Sequence, residues 1–299
     1  MNVIRNAKDW ALSQPRISAP GPVTAVLVGP PIHFDITDVR NEHMKGQIGN
    51  VDKVRARQQW ETLCKEIRDL GLDVHEIDPP EEQVDAVFTA NPSLCTSDHD
   101  GEPRVILGRM NHPNRVPEST QHQQVYERLG MHCDLLPADI HSWEGNGDSL
   151  RDLQRSLLWC GLGPRSEEAG HVAAGELLGL DLALLELPNA DFYHLDTALA
   201  LLNETTAAFV HEAFTTEGVE LLRRSFENLI EVDPEEAKTR LAGNMWCPDE
   251  THVFITSETP LTCDRLRAAG FQVIEVDTGE YLKSGGSVFC MRQEIRDAR

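Results

Sequence analysis

The sequence predicts an α/β fold in which five similar units pack around a common axis, as in a propeller. A helix-to-strand passage recurs five times along the 299 residues. Each passage carries apolar residues at helical spacing, then a helix stop, then a short apolar strand. A unit of strands with one outer helix cannot bury a core alone, so the units must pack against one another. No glycine-rich fingerprint of the G-x-G-x-x-G type follows a strand, which disfavours a doubly wound dinucleotide-binding sheet.

The clearest passage covers residues 61–78. Leu63 and Ile67 lie at helical spacing, Gly71 suits a left-handed helix stop, and Val74 begins a strand. The other four passages are 125–137, 173–188, 220–233 and 261–277. Further strand candidates lie between the passages, at 24–28, 104–107, 207–210 and 252–256. Each unit is therefore predicted to contain strands, one helix and a closing strand.

Composition limits the classes of partner. The chain has 49 acidic and 27 basic residues and a net charge of −22, which disfavours nucleic acid and anionic membranes as partners. No apolar run reaches the roughly 18 residues that a membrane span needs. Residues 1–21 lack the apolar core of a signal peptide, so we expect a surface arm on a cytoplasmic protein, with residues 22–299 as a single domain. A homo-oligomer is compatible with these features.

Cysteine and histidine usage indicates no metal centre. The seven cysteines include no C-x-x-C pair, and the twelve histidines include no H-E-x-x-H motif. Reduced thiols in a cytoplasmic protein fit this pattern better than a disulfide framework. The sequence 98–101 has the composition of a metal loop, but its position before the strand candidate 104–107 favours a hairpin turn.

Irregular stretches interrupt the units where strand-end loops usually carry function. Those before the last unit are residues 30–44, 87–94, 107–118, 143–148 and 192–197. The most informative stretch is 283–291, in which Gly285 and Gly286 precede a short apolar run that ends at Cys290. Two glycines let the main chain approach a ligand closely. A thiol just beyond such a corner can face a cavity while its backbone stays rigid.

Three motifs in this order resemble a known family. They are Glu-Gly-x-Gly-Asp at 144–148, His-Leu-Asp-Thr at 194–197 and Gly-Gly-Ser-Val-x-Cys-Met at 285–291. The ordered set is similar to the guanidine-modifying (pentein) superfamily, which includes arginine deiminases, dimethylarginine dimethylaminohydrolases and amidinotransferases. The resemblance runs from about residue 24 to residue 295. It implies a fivefold pseudosymmetric α/β propeller, which agrees with the repeat pattern.

The resemblance also implies roles for residues in these motifs. Cys290 would attack the guanidinium carbon and form a covalent thiouronium intermediate. His194 would act as general acid and then as general base, and Glu144 would orient it. Asp148 would accept hydrogen bonds from the guanidinium, while Arg109 and Arg165 would bind the substrate carboxylate. No cofactor is implied, because the thiol carries the covalent step.

Several of these residues also fit structural roles. Asp148 could cap a helix over residues 149–157, and Arg115 could hold its loop through Glu118. Asp196 is interpreted as structural.

Asn91 distinguishes the members of the superfamily. Deiminases and dimethylarginine hydrolases usually have an aspartate at this point, whereas Phe-Thr-Ala-Asn at 88–91 resembles the branch that includes arginine dihydrolases. That branch also has an Asn-Pro-Trp-Met segment, of which this chain keeps Asn41 and Met44. An amide removes a negative charge from the site, so a neutral ureido group should be tolerated better.

The leading hypothesis is therefore hydrolysis of arginine or a close guanidino analogue to ornithine, carbon dioxide and ammonia. The alternatives are a single-step guanidino hydrolase, an amidinotransferase and an inactive guanidino-binding protein.

Overall fold

The computed structural model describes residues 1–13 and 15–297, which form fifteen strands and nine α-helices. The strands are β1 Val3–Ile4, β2 Val23–Val28, β3 Asp73–Glu76, β4 Ser93–Ser97, β5 Pro103–Leu107, β6 Cys133–Leu135, β7 Ser149–Arg151, β8 Leu157–Leu162, β9 Asp181–Glu186, β10 Leu199–Leu201, β11 Thr206–Phe209, β12 Asn228–Glu231, β13 His252–Thr256, β14 Gln272–Val276 and β15 Gln293–Arg296. The helices are α1 Ala7–Ser13, α2 Lys53–Asp69, α3 Glu118–Arg128, α4 Gly145–Asp148, α5 Glu168–Leu178, α6 Thr216–Ser225, α7 Pro234–Arg240, α8 Pro260–Ala268 and α9 Gly279–Leu282.

The strands form five separate sheets with one recurring topology. Their orders are β15-β2-β3, β4-β5-β6, β1-β9-β8-β7, β10-β11-β12 and β13-β14. In the first four sheets, one antiparallel strand pair is followed by a helix and a parallel strand, as in β4-β5 followed by α3 and β6. The fifth sheet completes the same pattern with an antiparallel bridge between Trp246 and Phe254. The fold is therefore a mixed α/β fold built from five copies of one unit.

The five predicted helix-to-strand passages are all present. In the first unit, Asp52 caps α2 by accepting hydrogen bonds from the amides of Val54 and Arg55. Leu63 and Ile67 on this helix are fully buried against the first sheet, as the helical spacing predicted. Four helices that end before a parallel strand correspond to the other passages. They are α3, α5, α6 and α8.

The segment 1–21 is predicted as a surface arm, and described residues within it pack on the third sheet. β1 pairs in parallel with β9, and Ile4 is fully buried. The ring of Trp10 stacks on Trp159 with a centroid separation of 5.8 Å. The predicted arm includes residue 14 and the predicted domain includes residues 298 and 299, which lie outside the described residues. Within the described part of the chain, no helix has the length and apolar character needed to cross a membrane.

Candidate active site

The site is assembled from equivalent places in the five units. In each unit, the segment that precedes the antiparallel strand contributes one side chain that either lines the cavity or contacts a residue that lines it. These segments contribute Cys290 before β15, Asn91 before β4, Glu144 before β7, His194 before β10 and Asn244 before the bridge at Trp246. Sequence analysis identified the first four residues and missed Asn244.

The two glycines of the last motif allow close approach of several groups. Gly285 has a φ of +84°, and a side chain there would collide with the Asn41 amide and the Tyr193 hydroxyl. A Cβ at Gly286 would lie 2.2 Å from the ring of Phe88. Tyr193 donates a hydrogen bond to the Gly285 carbonyl oxygen at 2.6 Å. The glycine corner therefore fixes the backbone immediately before the cysteine segment, as the sequence predicted.

Cys290 lies buried at the cavity wall between two polar neighbours. Its Sγ donates to Oδ2 of Asp196 at 3.1 Å and accepts a hydrogen bond from Nδ2 of Asn244 at 3.2 Å. Burial and the Asp196 carboxylate raise the pKa of the Cys290 thiol well above its ordinary value. In the unliganded protein the sulfur is therefore a thiol, and a bound cation would favour its ionisation.

His194 and Glu144 form a buried pair beside this thiol. Nε2 of His194 lies 2.7 Å from Oε2 of Glu144, and no described residue hydrogen-bonds the other ring nitrogen, Nδ1. The second carboxylate oxygen of Glu144 accepts a hydrogen bond from the amide of Asn111 at 3.0 Å. His194 lines the same cavity as Cys290. The carboxylate thus holds the ring in one orientation, which is the geometry predicted for a general acid and base.

Glu144 is ionised despite complete burial. Burial alone raises the pKa of this carboxyl, but the hydrogen bond and charge of His194, together with Arg165 and Arg115, lower it to about 2. Arg165 places Nη1 3.5 Å from Oε2 of Glu144. An ionised Glu144 is an acceptor that can hold the His194 ring through Nε2.

The glycines of the Glu-Gly-x-Gly-Asp motif allow neighbouring units to touch. Gly145 has a φ of +42°, and a Cβ at this position would meet the Ser93 carbonyl oxygen at 2.4 Å. A Cβ at Gly147 would lie 2.2 Å from Nδ2 of Asn91. These contacts leave no room for a side chain at either position. The motif therefore brings Asn91 against the segment that carries Glu144.

Asp148 does not line the cavity, contrary to the predicted contact with the guanidinium. Its Oδ2 accepts a hydrogen bond from Ser166 at 2.6 Å, and its Oδ1 accepts one from the amide of Leu195 at 3.1 Å. Both oxygens are therefore occupied by protein groups. The helix that Asp148 could have capped over 149–157 is also wrong, because Ser149–Arg151 is a strand. Asp148 fixes the segment that carries His194.

Asn91 is held in one orientation by a buried arginine. Nη1 of Arg115 donates to Oδ1 of Asn91 at 3.1 Å. The same guanidinium contacts Glu118 at 2.8 Å, which confirms the predicted pair, and donates to the Phe88 carbonyl oxygen. Since an arginine only donates, it must face the amide oxygen. Nδ2 of Asn91 is left buried, with no hydrogen-bond partner among the described residues.

An outer pocket of about 370 Å³ adjoins the inner cavity of about 20 Å³. The two share Arg40, Asn41, Arg165 and Tyr193 in their walls. Arg165 lies over the Tyr193 ring at 4.8 Å. Nδ2 of Asn41 donates to the Ser284 carbonyl oxygen at 3.0 Å. Asn41 and Arg165 thus line both cavities, and their predicted contact with the substrate stays a prediction.

Arg109, predicted to bind a substrate carboxylate, lines neither cavity. Its guanidinium donates to the Leu136 carbonyl oxygen at 3.1 Å. Its backbone forms an antiparallel bridge with Trp143, next to Glu144. Arg109 therefore supports the segment that carries Glu144, and Arg40 occupies the place expected for a second arginine.

Arg40 and Asp196 were missed by sequence reasoning. Arg40 lies in a long irregular stretch, where it pairs with the buried Asp85 at 2.5 Å, and no motif marks it. Asp196 is part of the recognised His-Leu-Asp-Thr motif, and that motif could have indicated that Asp196 belongs to the site. Its Oδ1 is buried without a hydrogen-bond partner in the described chain.

One group of side chains has metal-ligand spacing in the described residues, and it lies outside the cavity. Asp98, His99 and Asp100 cluster in the turn between β4 and β5. The amide of Gly101 donates to the Asp98 carbonyl oxygen at 3.1 Å. The segment is thus the hairpin turn that the sequence predicted.

Asp196 should make stability depend on pH. Burial raises its pKa to about 6 from about 3.8, although His194 and Cys290 act in the opposite direction. Above pH 6, ionisation of the buried Asp196 carboxyl therefore lowers the free energy of unfolding. This loss becomes smaller as the pH falls towards 3.8, the pKa of the group in the unfolded chain. We expect Asp196→Asn to raise the free energy of unfolding more at pH 7.5 than at pH 5, by about 1 kcal/mol.

Urea unfolding at both pH values measures this difference. Asp139→Asn, in an exposed position, is the matched control and should show no pH-dependent gain. An equal effect of Asp196→Asn at the two pH values would contradict the assigned ionisation.

Comparisons with known proteins agree with this geometry. The sequence profile of the family described as N,N dimethylarginine dimethylhydrolase, eukaryotic, matches residues 31–297. The chain is 34% identical to the N(G),N(G)-dimethylarginine dimethylaminohydrolase of Mycobacterium tuberculosis, over 89% of this chain and 84% of that protein. It is 30% identical to the bifunctional arginine dihydrolase/ornithine cyclodeaminase AgrE of Nostoc, over 91% of this chain. The chain spans only 38% of the length of AgrE.

Solved structures of related enzymes have the same fold as this chain. The N-terminal domain of ArgZ, an arginine dihydrolase of cyanobacteria, was solved as a cysteine-to-serine mutant bound to substrate. It superposes with a TM-score of 0.85 and 29% identity, covering 91% of this chain and 98% of that domain. The same domain covalently bound to a reaction intermediate superposes with a TM-score of 0.84. The resemblance that the ordered motifs indicated is thereby confirmed, and the chain belongs to the N,N-dimethylarginine dimethylhydrolase family of guanidine-modifying enzymes.

Proposed function

We propose that the protein is a cysteine-dependent hydrolase of the guanidino group of arginine or a close analogue. The observation that carries this proposal is that Cys290 and His194 line one cavity, while buried carboxylates contact both of them: Glu144 pairs with His194, and Asp196 lies 3.1 Å from the Cys290 sulfur. A nucleophilic thiol, an oriented proton carrier and an acceptor for a cation are what attack on a guanidinium carbon requires. The family match and the likeness to a domain captured with a covalent intermediate support the same reaction class.

The first half of the reaction forms a covalent adduct. A guanidinium bound against Asp196 would supply the positive charge that favours the Cys290 thiolate. The sulfur attacks the guanidinium carbon and forms the S–C bond. The thiol proton is released to water when the thiolate forms. His194, in its protonated form, then gives a proton to the departing nitrogen through Nδ1, and ammonia leaves. Asp196 suits this role because its Oδ1 has no partner among the described residues.

The second half removes the remaining nitrogen. His194, now neutral, takes a proton from water, which attacks the thiouronium carbon. In a dihydrolase a second ammonia leaves, and a second water cleaves the resulting S-carbamoyl intermediate. The released carbamate breaks down to ornithine and carbon dioxide. Atoms balance as arginine plus two waters giving ornithine, carbon dioxide and two ammonia molecules.

The orientation of Asn91 favours the dihydrolase over a single-step hydrolase. Arg115 occupies the amide oxygen, so the Nδ2 donor of Asn91, a residue of the cavity wall, is the group left without a partner among the described residues. A guanidinium offers only donors and cannot pair with it, whereas a ureido or carbamoyl oxygen can accept its hydrogen bond. Asn91 would therefore stabilise the second set of intermediates, after the first ammonia has left. This supports the prediction made from the residue type.

A single-step hydrolase is the second candidate. The 34% identity to a dimethylarginine dimethylaminohydrolase over most of both chains favours it. Both candidates use Cys290, His194 and Glu144, and they differ in whether citrulline is an end product. Product analysis separates them.

Arg165 is proposed to bind the substrate carboxylate. It lines both the outer pocket and the inner cavity, unlike Arg109. We expect Arg165→Ala to raise KM for arginine by about 10- to 100-fold, since a bidentate pair with a carboxylate is lost. Agmatine, which lacks the carboxylate, should show little change in KM.

Steady-state kinetics with both substrates test this assignment, and Arg109→Ala is the comparison variant. An unchanged KM for arginine in Arg165→Ala, with a large rise in Arg109→Ala, would return the role to Arg109. Since Arg165 also contacts Glu144 at 3.5 Å, kcat should fall for both substrates.

The five units are proposed to close around one axis as a fivefold propeller. Support comes from the recurring topology and from the five equivalent segments, three of which line one cavity while Glu144 and Asn244 of the other two contact its lining. Residues 22–299 would then form a single catalytic domain, with residues 1–21 attached to its third sheet. A cytoplasmic location, assembly into homo-oligomers and the lack of nucleic-acid partners remain predictions from the sequence.

A further inference from the structure

Each of the five units places one residue at an equivalent position before its antiparallel strand. Four of these residues have a role in the proposed reaction, and Asn244 is the fifth. It is 1% exposed and lies in the segment between α7 and the bridge at Trp246. Gly243 allows this segment to approach, because a Cβ there would lie 2.3 Å from the Thr197 carbonyl oxygen. The side chain of Asn244 thereby reaches the cysteine segment and the segment that carries Asp196.

Both ends of the Asn244 side-chain amide form hydrogen bonds. Its Oδ1 accepts hydrogen bonds from the backbone amides of Ser287 at 3.1 Å and Cys290 at 3.2 Å. Its Nδ2 donates to the Asp196 carbonyl oxygen at 2.9 Å and to Sγ of Cys290 at 3.2 Å. The oxygen thus holds the backbone of the turn, and one of the two N–H groups points at the sulfur. These bonds fix which end of the amide faces the thiol.

The bond to sulfur changes strength during the reaction. A thiol is a weak acceptor, whereas a thiolate accepts a charge-assisted hydrogen bond. After the S–C bond forms, the sulfur is again a weak acceptor. The N–H group of Asn244 therefore stabilises the thiolate more than the states on either side of it.

The charged group beside Cys290 opposes formation of the thiolate, so a donor to the sulfur has a large effect on its ionisation. The nearest charged group is the Asp196 carboxylate at 3.1 Å, which opposes ionisation of the thiol. Other titratable or charged groups in the same cavity wall are Arg40, Asp85, Arg115, Arg165, Tyr193 and His194. Arg292, on the same segment as Cys290, stacks over the Phe289 ring at 3.4 Å. Asn244 is the neutral donor in direct contact with the sulfur.

We propose that Asn244 is a catalytic residue that stabilises the Cys290 thiolate through its Nδ2–H group. This inference rests on the proposed role of Cys290 as nucleophile. It assigns Asn244 two separable functions, with Oδ1 holding the turn and Nδ2 stabilising the charge. Asn244→Asp keeps an acceptor for the two backbone amides but loses both Nδ2 donors and adds a negative charge, whereas Asn244→Ala removes the donor without adding a charge.

Alkylation of Cys290 by iodoacetamide tests the proposal without any substrate. The reaction forms an S–C bond, releases iodide and gives the thiol proton to the buffer, so its rate follows the thiolate. The modified peptide is quantified by mass spectrometry between pH 7 and pH 10, with Cys290→Ser as background. We expect Asn244→Asp to lower the rate at least about tenfold across this range and to shift the pH profile upwards.

Two further variants keep the test decisive. Asn203→Asp is the matched control, since its Oδ1 accepts from the amides of Thr205 and Thr206 in a surface turn, and it should alkylate at the wild-type rate. Asn244→Ala should also lower the rate, measured on protein whose thermal unfolding shows it to be folded.

A rate equal to or above that of the wild type in folded Asn244→Ala, with an unshifted pH profile, overturns the proposal. A purely structural role through Oδ1 predicts no upward shift of the pH profile in folded Asn244→Ala, which removes the donor without adding a charge beside the sulfur. Failure of the proposed function would appear separately, as turnover that persists in Cys290→Ser.

Discussion

Cys290→Ser should abolish turnover of arginine, with a loss of kcat of at least about 1,000-fold, while leaving binding nearly intact. A hydroxyl has nearly the size of a thiol but is a far weaker nucleophile at neutral pH. The groups proposed to bind the substrate, Asp196 and Arg165, are untouched. Calorimetric titration of the variant with arginine should therefore give a dissociation constant close to the wild-type KM.

Cys133→Ser is the matched control for this result. Cys133 is half-buried in β6 and lines neither cavity of the site. Its replacement should leave kcat within about a factor of two, as is usual for a substitution away from the chemistry. Substantial turnover in Cys290→Ser would remove the thiol from the mechanism. Loss of turnover in both variants would indicate unfolding, which thermal denaturation would reveal.

Asn91→Asp should convert a dihydrolase into an enzyme that stops at citrulline. The new carboxylate can pair with Arg115 and offers the cavity an acceptor in place of the Nδ2 donor. A guanidinium is then bound at least as well, but a ureido oxygen meets a negative charge. We expect arginine consumption to persist and hydrolysis of citrulline to fall by at least about 100-fold.

The measurement is the ratio of citrulline to ornithine formed by the variant from arginine. Asn228→Asp, an exposed position at the start of β12, adds the same charge away from the site and should give the wild-type ratio. Ornithine as the main product of Asn91→Asp would show that the amide does not decide the outcome. Loss of all arginine consumption would instead assign Asn91 a role in the first step.

Local patterns were enough to predict the helix-to-strand passage of each unit, but not most of the antiparallel strands. Leu63 and Ile67 at helical spacing, with Gly71 as the stop, predicted α2 and β3 correctly, because burial of one helix face requires that periodicity. The antiparallel strand that opens the third unit was not predicted. Ser149–Arg151 is too short to show an alternating pattern, and the preceding Asp148 suggested a helix cap instead.

The site residues that the sequence predicted correctly lie in motifs whose glycines allow a close backbone approach. Gly145, Gly147 and Gly285 mark close approaches, and each stands beside a polar residue of the site. The sequence could not show which of Arg109 and Arg165 lines the cavity, because the position of a guanidinium depends on the groups that hold its long side chain. Asn244 escaped attention because its role depends on pairing with a turn more than 40 residues away, which no local pattern records.

The central claim is tested most directly by the stoichiometry of products from arginine. Purified protein is incubated with arginine, and ornithine, citrulline, urea and ammonia are quantified in the same samples, with Cys290→Ser as the control. The account predicts two ammonia molecules per ornithine, no urea, transient citrulline at most, and no products with the variant. Citrulline accumulating in equal amount to ammonia, or ornithine formed together with urea, would contradict it.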